Sequence, residues 1–395
     1  MTRYSRVPSV IALLLVVIVV LMAALVLRGG QTKSSAHTGQ LGAQNEQAQQ
    51  VYEWSLVTTW PKHFPGLGAA PENFAKLLDE MSGGRLKVKV YGANQLVPAM
   101  GVFGAVASGS AQMGHSAAYY WRGKIPASVF FTAVPFGMTA QELNGWLYYG
   151  GGLKLWREIY AKHNLVPFAA GNTGVQMGGW FNREINSLAD IQGLKMRIPG
   201  IGGDVFTKAG GTAVNIPGGE LYTALQSGVI DATEWVGPYN DLAFGFHQIA
   251  KYYYYPGWHE PGPTLEIIVN KTVYEGLPAD LQKMIEVAAR AVNQDMLDEY
   301  TSRNNDALEE LINKHNVELR PFPKDVLMQF AAMSDELYQE YAANDPEFKR
   351  VHEHFNAYLK KVRGYHELSE QAYLEARVQA LVTNNPIDLQ EVTYE

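Results

Sequence analysis

Arg197 is the residue whose type and setting carry the most chemistry. Leu194, Met196 and Ile198 alternate with Lys195 and Arg197, and the run ends at Pro199. That alternation is strand spacing. It sets Arg197 opposite the apolar face, at the strand's C-terminal end and just before the loop Pro199 to Gly203. Ligands of open α/β sheets bind outside the carboxyl ends of strands. A guanidinium placed there clamps a carboxylate through two parallel hydrogen bonds, which lysine cannot imitate. A surface arginine paired with a neighbouring acid would give the same pattern. Two acids stand in equally unusual company: Glu234 in EWVGPYND, and Glu260 in YYYYPGWHEPGP. Carboxylates crowded by proline, glycine and aromatic residues suit three roles. They could ligate a hard cation with loop carbonyls completing the shell, form the acid pair of a glycosidase, or be capped loop acids. Gln176 and Trp180 open a similar stretch, GVQMGGWFN, where the amide offers both a donor and an acceptor. Tyr119, Tyr120 and Trp121 follow Ser116-Ala117-Ala118 directly. Aromatic clusters usually fill cores, but their spread over four loops suits a cleft between lobes.

The elements that must position these residues alternate between strand and helix. Tyr52 to Thr58 reads as a strand. Pro71 sits in the first turn of a helix whose face is Phe74, Leu77, Leu78 and Met81, stopped at Gly83-Gly84. Leu86, Val88 and Val90 alternate with lysines as a second strand. A helix over about 100–108 leads to an apolar segment at Met113. This β-α-β-α-β order predicts a mostly parallel sheet covered by helices. Later, Pro217 opens a helix with Leu221, Ala224, Leu225 and Val229 on one face. A long helix runs from Ala279 to about Lys314, and helices dominate to about Arg377. His352 and His354 are expected to face solvent. The expected fold is α/β, two lobes with a helical C-terminal portion. Lobe I is assigned to 51–172 and 265–310, lobe II to 173–264, and the helical portion to 311–395.

Composition excludes several function classes. The 395 residues are 47% hydrophobic and 18% charged, enough for a sizeable core. The net charge is −7, and residues 1–36 carry only cations, so the remainder is more acidic still and a poor partner for nucleic acid. The chain has no cysteine, which removes disulfide scaffolds, thiolate zinc sites and cysteine nucleophiles. Gly200, Gly202 and Gly203 do not complete a dinucleotide fingerprint, because Val205 takes the third glycine's place. No phosphate-binding loop or serine elbow occurs, and His259-Glu260 runs into Pro261 rather than a zinc-protease helix. Val10 to Leu27 is an unbroken apolar run behind Arg3 and Arg6. It is long enough to span about 27 Å as a helix. The expectation is export across the cytoplasmic membrane, with the run kept as an anchor or cleaved near Ser34-Ser35-Ala36, and a polar tether from Gln31 to Gln50.

The stretches VPAMGVFGAVASGSAQMGHSAAYYW, LKMRIPG, GGELYTALQSGVIDATEWVGPYND and YYYYPGWHEPGP resemble the solute-binding proteins of tripartite ATP-independent periplasmic (TRAP) transporters. More narrowly they are similar to the branch that binds 2-oxo and 2-hydroxy monocarboxylates with a metal ion. The resemblance runs from about Tyr52 to Arg377. It implies that Arg197 holds the ligand carboxylate and that Gln176 contacts ligand and metal. Glu234, Trp235 through its backbone carbonyl, and Glu260 would bind sodium or calcium, with Tyr119 and Tyr120 on the ligand's other side. It further implies a type II periplasmic-binding-protein fold with the two lobes joined by a hinge, no chemical transformation, delivery to a membrane permease, and a homodimer built through C-terminal helices. Two rivals come from other classes: a secreted hydrolase with Glu234 and Glu260 as acid and base, and a sensory module that reports a ligand to a membrane partner.

Overall fold

The computed structural model describes residues 50–384. The apolar run 10–27 and its tether therefore lie outside the described residues, and among those described no helix is long and apolar enough to cross a membrane. Two sheets organise the chain. The first has five strands in the order β2-β1-β3-β10-β4: β1 (Tyr52–Thr58), β2 (Leu86–Tyr91), β3 (Met113–Ser116), β4 (Leu165–Asn172) and β10 (Thr264–Asn270). β1 runs parallel to β2 and β3, as the β-α-β order requires, whereas β10 is antiparallel to both β3 and β4. The second has six strands, ordered β11-β9-β5-β8-β6-β7. They are β5 (Gly179–Phe181), β6 (Lys195–Arg197), β7 (Thr212–Val214), β8 (Ala232–Thr233), β9 (Tyr252–Tyr255) and β11 (Glu318–Pro321). β10 is buried along its whole length, as a strand covered on both faces should be, and its TLEIIVN sequence carries the apolar residues Leu265, Ile267, Ile268 and Val269 with Thr264, Glu266 and Asn270 buried among them.

The chain crosses from the first sheet to the second between β4 and β5, and returns between β9 and β10. These crossing segments lie side by side. Gln176 N–H donates to the Glu260 carbonyl at 3.2 Å, Gly257 N–H to the Gln176 carbonyl at 2.9 Å, and Thr173 N–H to the Pro263 carbonyl at 3.2 Å. Gly257 makes this approach possible, because a Cβ there would lie 2.3 Å from the Gln176 carbonyl oxygen. The helix Ala279–Asn313 then packs on β4, on Ala69–Ser82 and on Pro238–Phe244, so it touches elements associated with both sheets.

Some local expectations shift. Helix Ala69–Ser82 buries Phe74 and Leu78, but Met81 is exposed beside the left-handed Gly83 that ends the helix. The helix after Pro217 is short, Leu221–Gln226; Val229 lies beyond it and is exposed, because the chain turns at Gly228 with a positive φ. Past residue 311 the chain supplies β11 before the helices Lys324–Asn344 and Pro346–His366. His352 and His354 are partly buried rather than fully solvent-facing. His354 Nδ1 accepts from Trp146 Nε1 at 3.0 Å, and His352 packs against Phe130 and Tyr338, so burial holds its pKa below the ordinary value.

Candidate functional site

Arg197 ends β6 and is 1% exposed, so it is a buried charge and not a surface one. Its strand lies between β8 and β7, and Ile198 N–H continues the ladder to the Val214 carbonyl. The guanidinium is almost fully engaged. Nη1 pairs with Glu234 Oε1 and also donates to the Glu234 carbonyl at 3.2 Å; Nε donates to the Ile216 carbonyl at 3.2 Å; Nη2 donates to the Tyr120 hydroxyl at 3.2 Å. Its plane lies over the Trp235 ring, 5.1 Å from the centroid. Burial by itself would disfavour the positive charge, but Glu234, Tyr120, Tyr119 and Glu260 together raise the pKa above the ordinary arginine value.

Glu234 follows β8, which is only two residues long, and its backbone N–H donates to the Arg197 carbonyl at 3.2 Å. Its Oε2 has no hydrogen-bond partner, and His259 Nε2 stands 3.5 Å away. Glu260 sits on the returning crossing segment, 3% exposed, with Oε2 likewise unpartnered. Glu234, His259 and Glu260 each offer one ligand atom, all within 4.8 Å of one another. Burial pushes the Glu260 carboxyl well above its usual range and the charge on Glu234 pushes it further, while Arg197, Tyr119 and Gln176 pull the other way. Gln176 spends its amide N–H on the Thr173 hydroxyl at 3.2 Å and leaves Oε1 buried without a partner. Three orphaned oxygens thus belong to neighbouring residues in one buried cluster. An unpaired buried polar group costs about 1–3 kcal/mol and a charged one more, so this set fits an oxygen-binding cation that none of the side chains replaces.

The adjoining cavity is tight, about 10 Å³ or room for roughly one water; Tyr119, Tyr120, Gln176, Arg197 and Trp235 line it, together with Trp60, Leu67 and Leu265. Sequence reasoning missed two residues. Trp60 comes from the loop after β1 and packs edge-on against Trp235, with ring centroids 6.0 Å apart. Its indole N–H donates to His115 Nδ1 at 2.8 Å, and the other ring nitrogen of His115 bonds the Ala170 carbonyl at 2.9 Å. Burial keeps His115 neutral, with a pKa near 4. His259 was set aside with the failed zinc-protease pattern, and both of its ring nitrogens are buried and unpartnered. Trp235 contributes its ring to Arg197 and to the wall, and its Nε1 has no partner.

Outside the residues that line this cavity, Arg122 bonds the Gly200 carbonyl and pairs with Asp204 at 2.6 Å, and the Tyr341 hydroxyl donates to the same carboxylate at 2.6 Å. This contact joins the segment that follows Tyr119 and Tyr120 to the helix that follows Arg197.

A family profile described as bacterial extracellular solute-binding protein, family 7, matches residues 56–345. A monocarboxylate 2-oxoacid-binding periplasmic protein from a Nostoc species is 42% identical over 320 residues, covering 81% of this chain and 87% of its own. Two crystal structures of TRAP periplasmic solute-binding proteins superpose with a TM-score of 0.81 at 48% identity. The one from Pseudoalteromonas atlantica, with bound sodium and pyruvate, covers 82% of this chain and 99% of its own. The one from Colwellia psychrerythraea, with bound calcium and pyruvate, covers 83% of this chain and 100% of its own. The hydrolase reading finds no support among these relatives. The chain belongs to family 7 of the bacterial extracellular solute-binding proteins, the solute-binding proteins of TRAP transporters.

Proposed function

We propose that this protein captures a small 2-oxo or 2-hydroxy monocarboxylate together with sodium or calcium, and delivers it unchanged to a membrane permease. The observation that carries this reading is the buried trio of unpartnered oxygens, Glu234 Oε2, Glu260 Oε2 and Gln176 Oε1, beside one buried arginine. Glu234, Glu260, Gln176 and the Trp235 carbonyl would hold the cation, which supplies positive charge to an oxygen ligand and lets two acids sit beside an anionic solute. Arg197 would hold the carboxylate. Nη2 is the end of its fork best placed to do so, because Nη1 is committed to Glu234 and Nε to the Ile216 carbonyl. Tyr120 would share the same carboxylate, and Tyr119, Trp60 and Trp235 would wall off water. The ligands bound in the pyruvate complexes of the two relatives, and the name of the Nostoc relative, support the same class of solute.

A site this enclosed cannot exchange its solute without opening. Residues 51–172 with 265–310, and 173–264, are the two lobes we infer to part, with the crossing segments at 173–178 and 256–263 as the hinge. The helices beyond Pro346 expose Tyr365, Leu368 and Tyr373, and that face suits a second copy of the chain. Export through the apolar run 10–27, whether retained as an anchor or cleaved, fits a protein working in the periplasm.

Thermal unfolding of the purified protein tests the reading. It would be run with pyruvate, lactate, dicarboxylates and sugars, each in sodium, calcium and chelator. A ligand that binds only the folded state stabilises it by about 2.7 kcal/mol at a hundred times its dissociation constant. The expected result is a rise in midpoint with pyruvate that chelator and sodium withdrawal abolish. A rise indifferent to cations would leave Arg197 in place and remove the cation; no rise with any monocarboxylate would refute the solute class.

A further inference from the structure

We propose that Asp241 is a positioning residue for the cation pocket, holding the loop that carries Glu234 and Trp235 without itself facing the cavity. The inference rests on the cation reading above and extends it to a residue outside the first layer of contacts.

β8 ends at Thr233, so Glu234, Trp235 and Val236 leave the sheet at once and need other supports. Two are backbone bonds: Glu234 N–H to the Arg197 carbonyl at 3.2 Å, and Met177 N–H to the Val236 carbonyl at 3.0 Å. The third is a side chain. Val236 N–H donates to Asp241 Oδ1 at 3.3 Å. The other oxygen of the same carboxylate is gripped from two strands: Trp180 Nε1, from β5, donates to Oδ2 at 3.0 Å, and the Tyr253 hydroxyl, from β9, donates at 2.6 Å. Those two rings stack at 4.0 Å between centroids, 16° from parallel, so the donors are themselves fixed. Asp241 is 1% exposed and lies in the first turn of Pro238–Phe244.

The three contacts have one polarity. A backbone N–H and an indole N–H can only donate, and the hydroxyl donates in this arrangement, so the position calls for a group that accepts on both oxygens. Leucine would leave three buried donors unpaired. Asparagine has nearly the same shape and turns one end into an N–H₂ group. That group must meet either Val236 N–H or the Trp180 and Tyr253 donors, and the loop moves with whichever contact fails. Outer groups that orient ligands are worth roughly ten- to hundredfold in metal affinity.

The test is calcium titration of the full-length protein, followed by tryptophan fluorescence and by equilibrium dialysis of the ion. Asp241→Asn is expected to raise the calcium half-saturation at least about tenfold. The pyruvate dissociation constant at saturating calcium should stay within about threefold of the parent, because Arg197 is untouched. Tyr253→Phe keeps the carboxylate, removes one donor, and should shift calcium the same way by less. A purely structural role would lower the unfolding midpoint yet leave the calcium half-saturation of the folded protein unchanged, and that result overturns the proposal. Should Asp241→Asn fail to fold, Tyr253→Phe and Trp180→Phe decide the matter, and parent-like calcium binding in both overturns it. A parent that responds to no cation would remove the ground for this inference and for the cation reading together, and shows itself before any variant is made.

Discussion

Replacing Arg197 by lysine separates its charge from its fork. In the parent the guanidinium makes four hydrogen bonds, to Glu234 Oε1, to the Glu234 and Ile216 carbonyls and to Tyr120. Lysine keeps a positive charge beside Glu234 but offers three donors around one atom, which cannot reproduce the planar set. Losing one or two buried contacts costs about 1–3 kcal/mol of stability. Alanine would instead leave Glu234 buried without its partner, at about 3–5 kcal/mol, so lysine is the variant that keeps the folded protein available for binding. Hydrogen bonds to a charged group contribute about 1.5–3 kcal/mol. At 1.4 kcal/mol per tenfold, the lysine variant should bind pyruvate roughly ten- to hundredfold more weakly. Calorimetric titration at saturating calcium reads this directly. A folded Arg197→Lys protein with the parent's dissociation constant would refute the assignment. A loss that disappears as calcium is raised further would show that Arg197 acts through the cation pocket and not on the solute.

Three further outcomes follow from the geometry. Glu260→Gln should raise the calcium half-saturation by at least about tenfold while changing pyruvate affinity less once calcium saturates, since it removes one charged ligand and spares Arg197; calcium dialysis beside calorimetry checks the order of the two effects. Glu266, fully buried in β10 with Trp121 Nε1 on one oxygen, has its pKa pushed up to about 7 by burial. The folded state therefore holds its proton where the unfolded chain has lost it, so stability falls as pH rises from about 4.5 to 7. The total is on the order of 3 kcal/mol, and Glu266→Gln should flatten that part of the profile in guanidinium titrations. Asp204→Asn should loosen the clasp of Arg122 and Tyr341 between the segment after Tyr120 and the helix after Arg197. Both charges there are about a third exposed, so the cost is under about 1 kcal/mol, or less than about fivefold in solute affinity. That difference should shrink further in potassium chloride as screening grows.

Arg197 was legible because its signal is local: apolar and basic residues alternate along a short strand, and an arginine in that setting, before a glycine-rich turn, is conspicuous, although Met196 and Arg197 are both buried. Glu234 and Glu260 were legible as unusual, but their proximity was not. It depends on β5 and β9 pairing antiparallel and on the crossing segments lying side by side, long-range facts that the 25 intervening residues do not announce. His259 was lost because only one helical pattern was considered for it, whereas the chain places it on an irregular segment. Trp60 carries no motif, and only its bond to His115 and its edge on Trp235 bring it to the cavity. Val229, His352 and His354 failed for a shared reason. Helical periodicity says which face a residue shares but not where the helix ends or which neighbour later covers it.

Charge balance explains why an anion site would be built around acids. Arg197 and Glu234 neutralise each other in contact, which leaves Glu260 as a buried carboxyl without a basic partner of its own. Burial and Glu234 both raise its pKa, so its charged form is disfavoured there. A cation would offer relief by taking up Glu234 Oε2, Glu260 Oε2 and Gln176 Oε1, which have no hydrogen-bond partner. With the acids thus neutralised, the positive face of Arg197 would no longer be opposed, and an anionic solute could enter where it would otherwise be repelled. On the proposed reading the cation and the carboxylate would each lower the cost of the other, so their binding would be positively coupled, and by linkage the solute would tighten the cation as much as the cation tightens the solute. A protein that must release its cargo at a membrane gains from that arrangement, because opening the lobes wets the pocket, raises its dielectric and weakens both partners together.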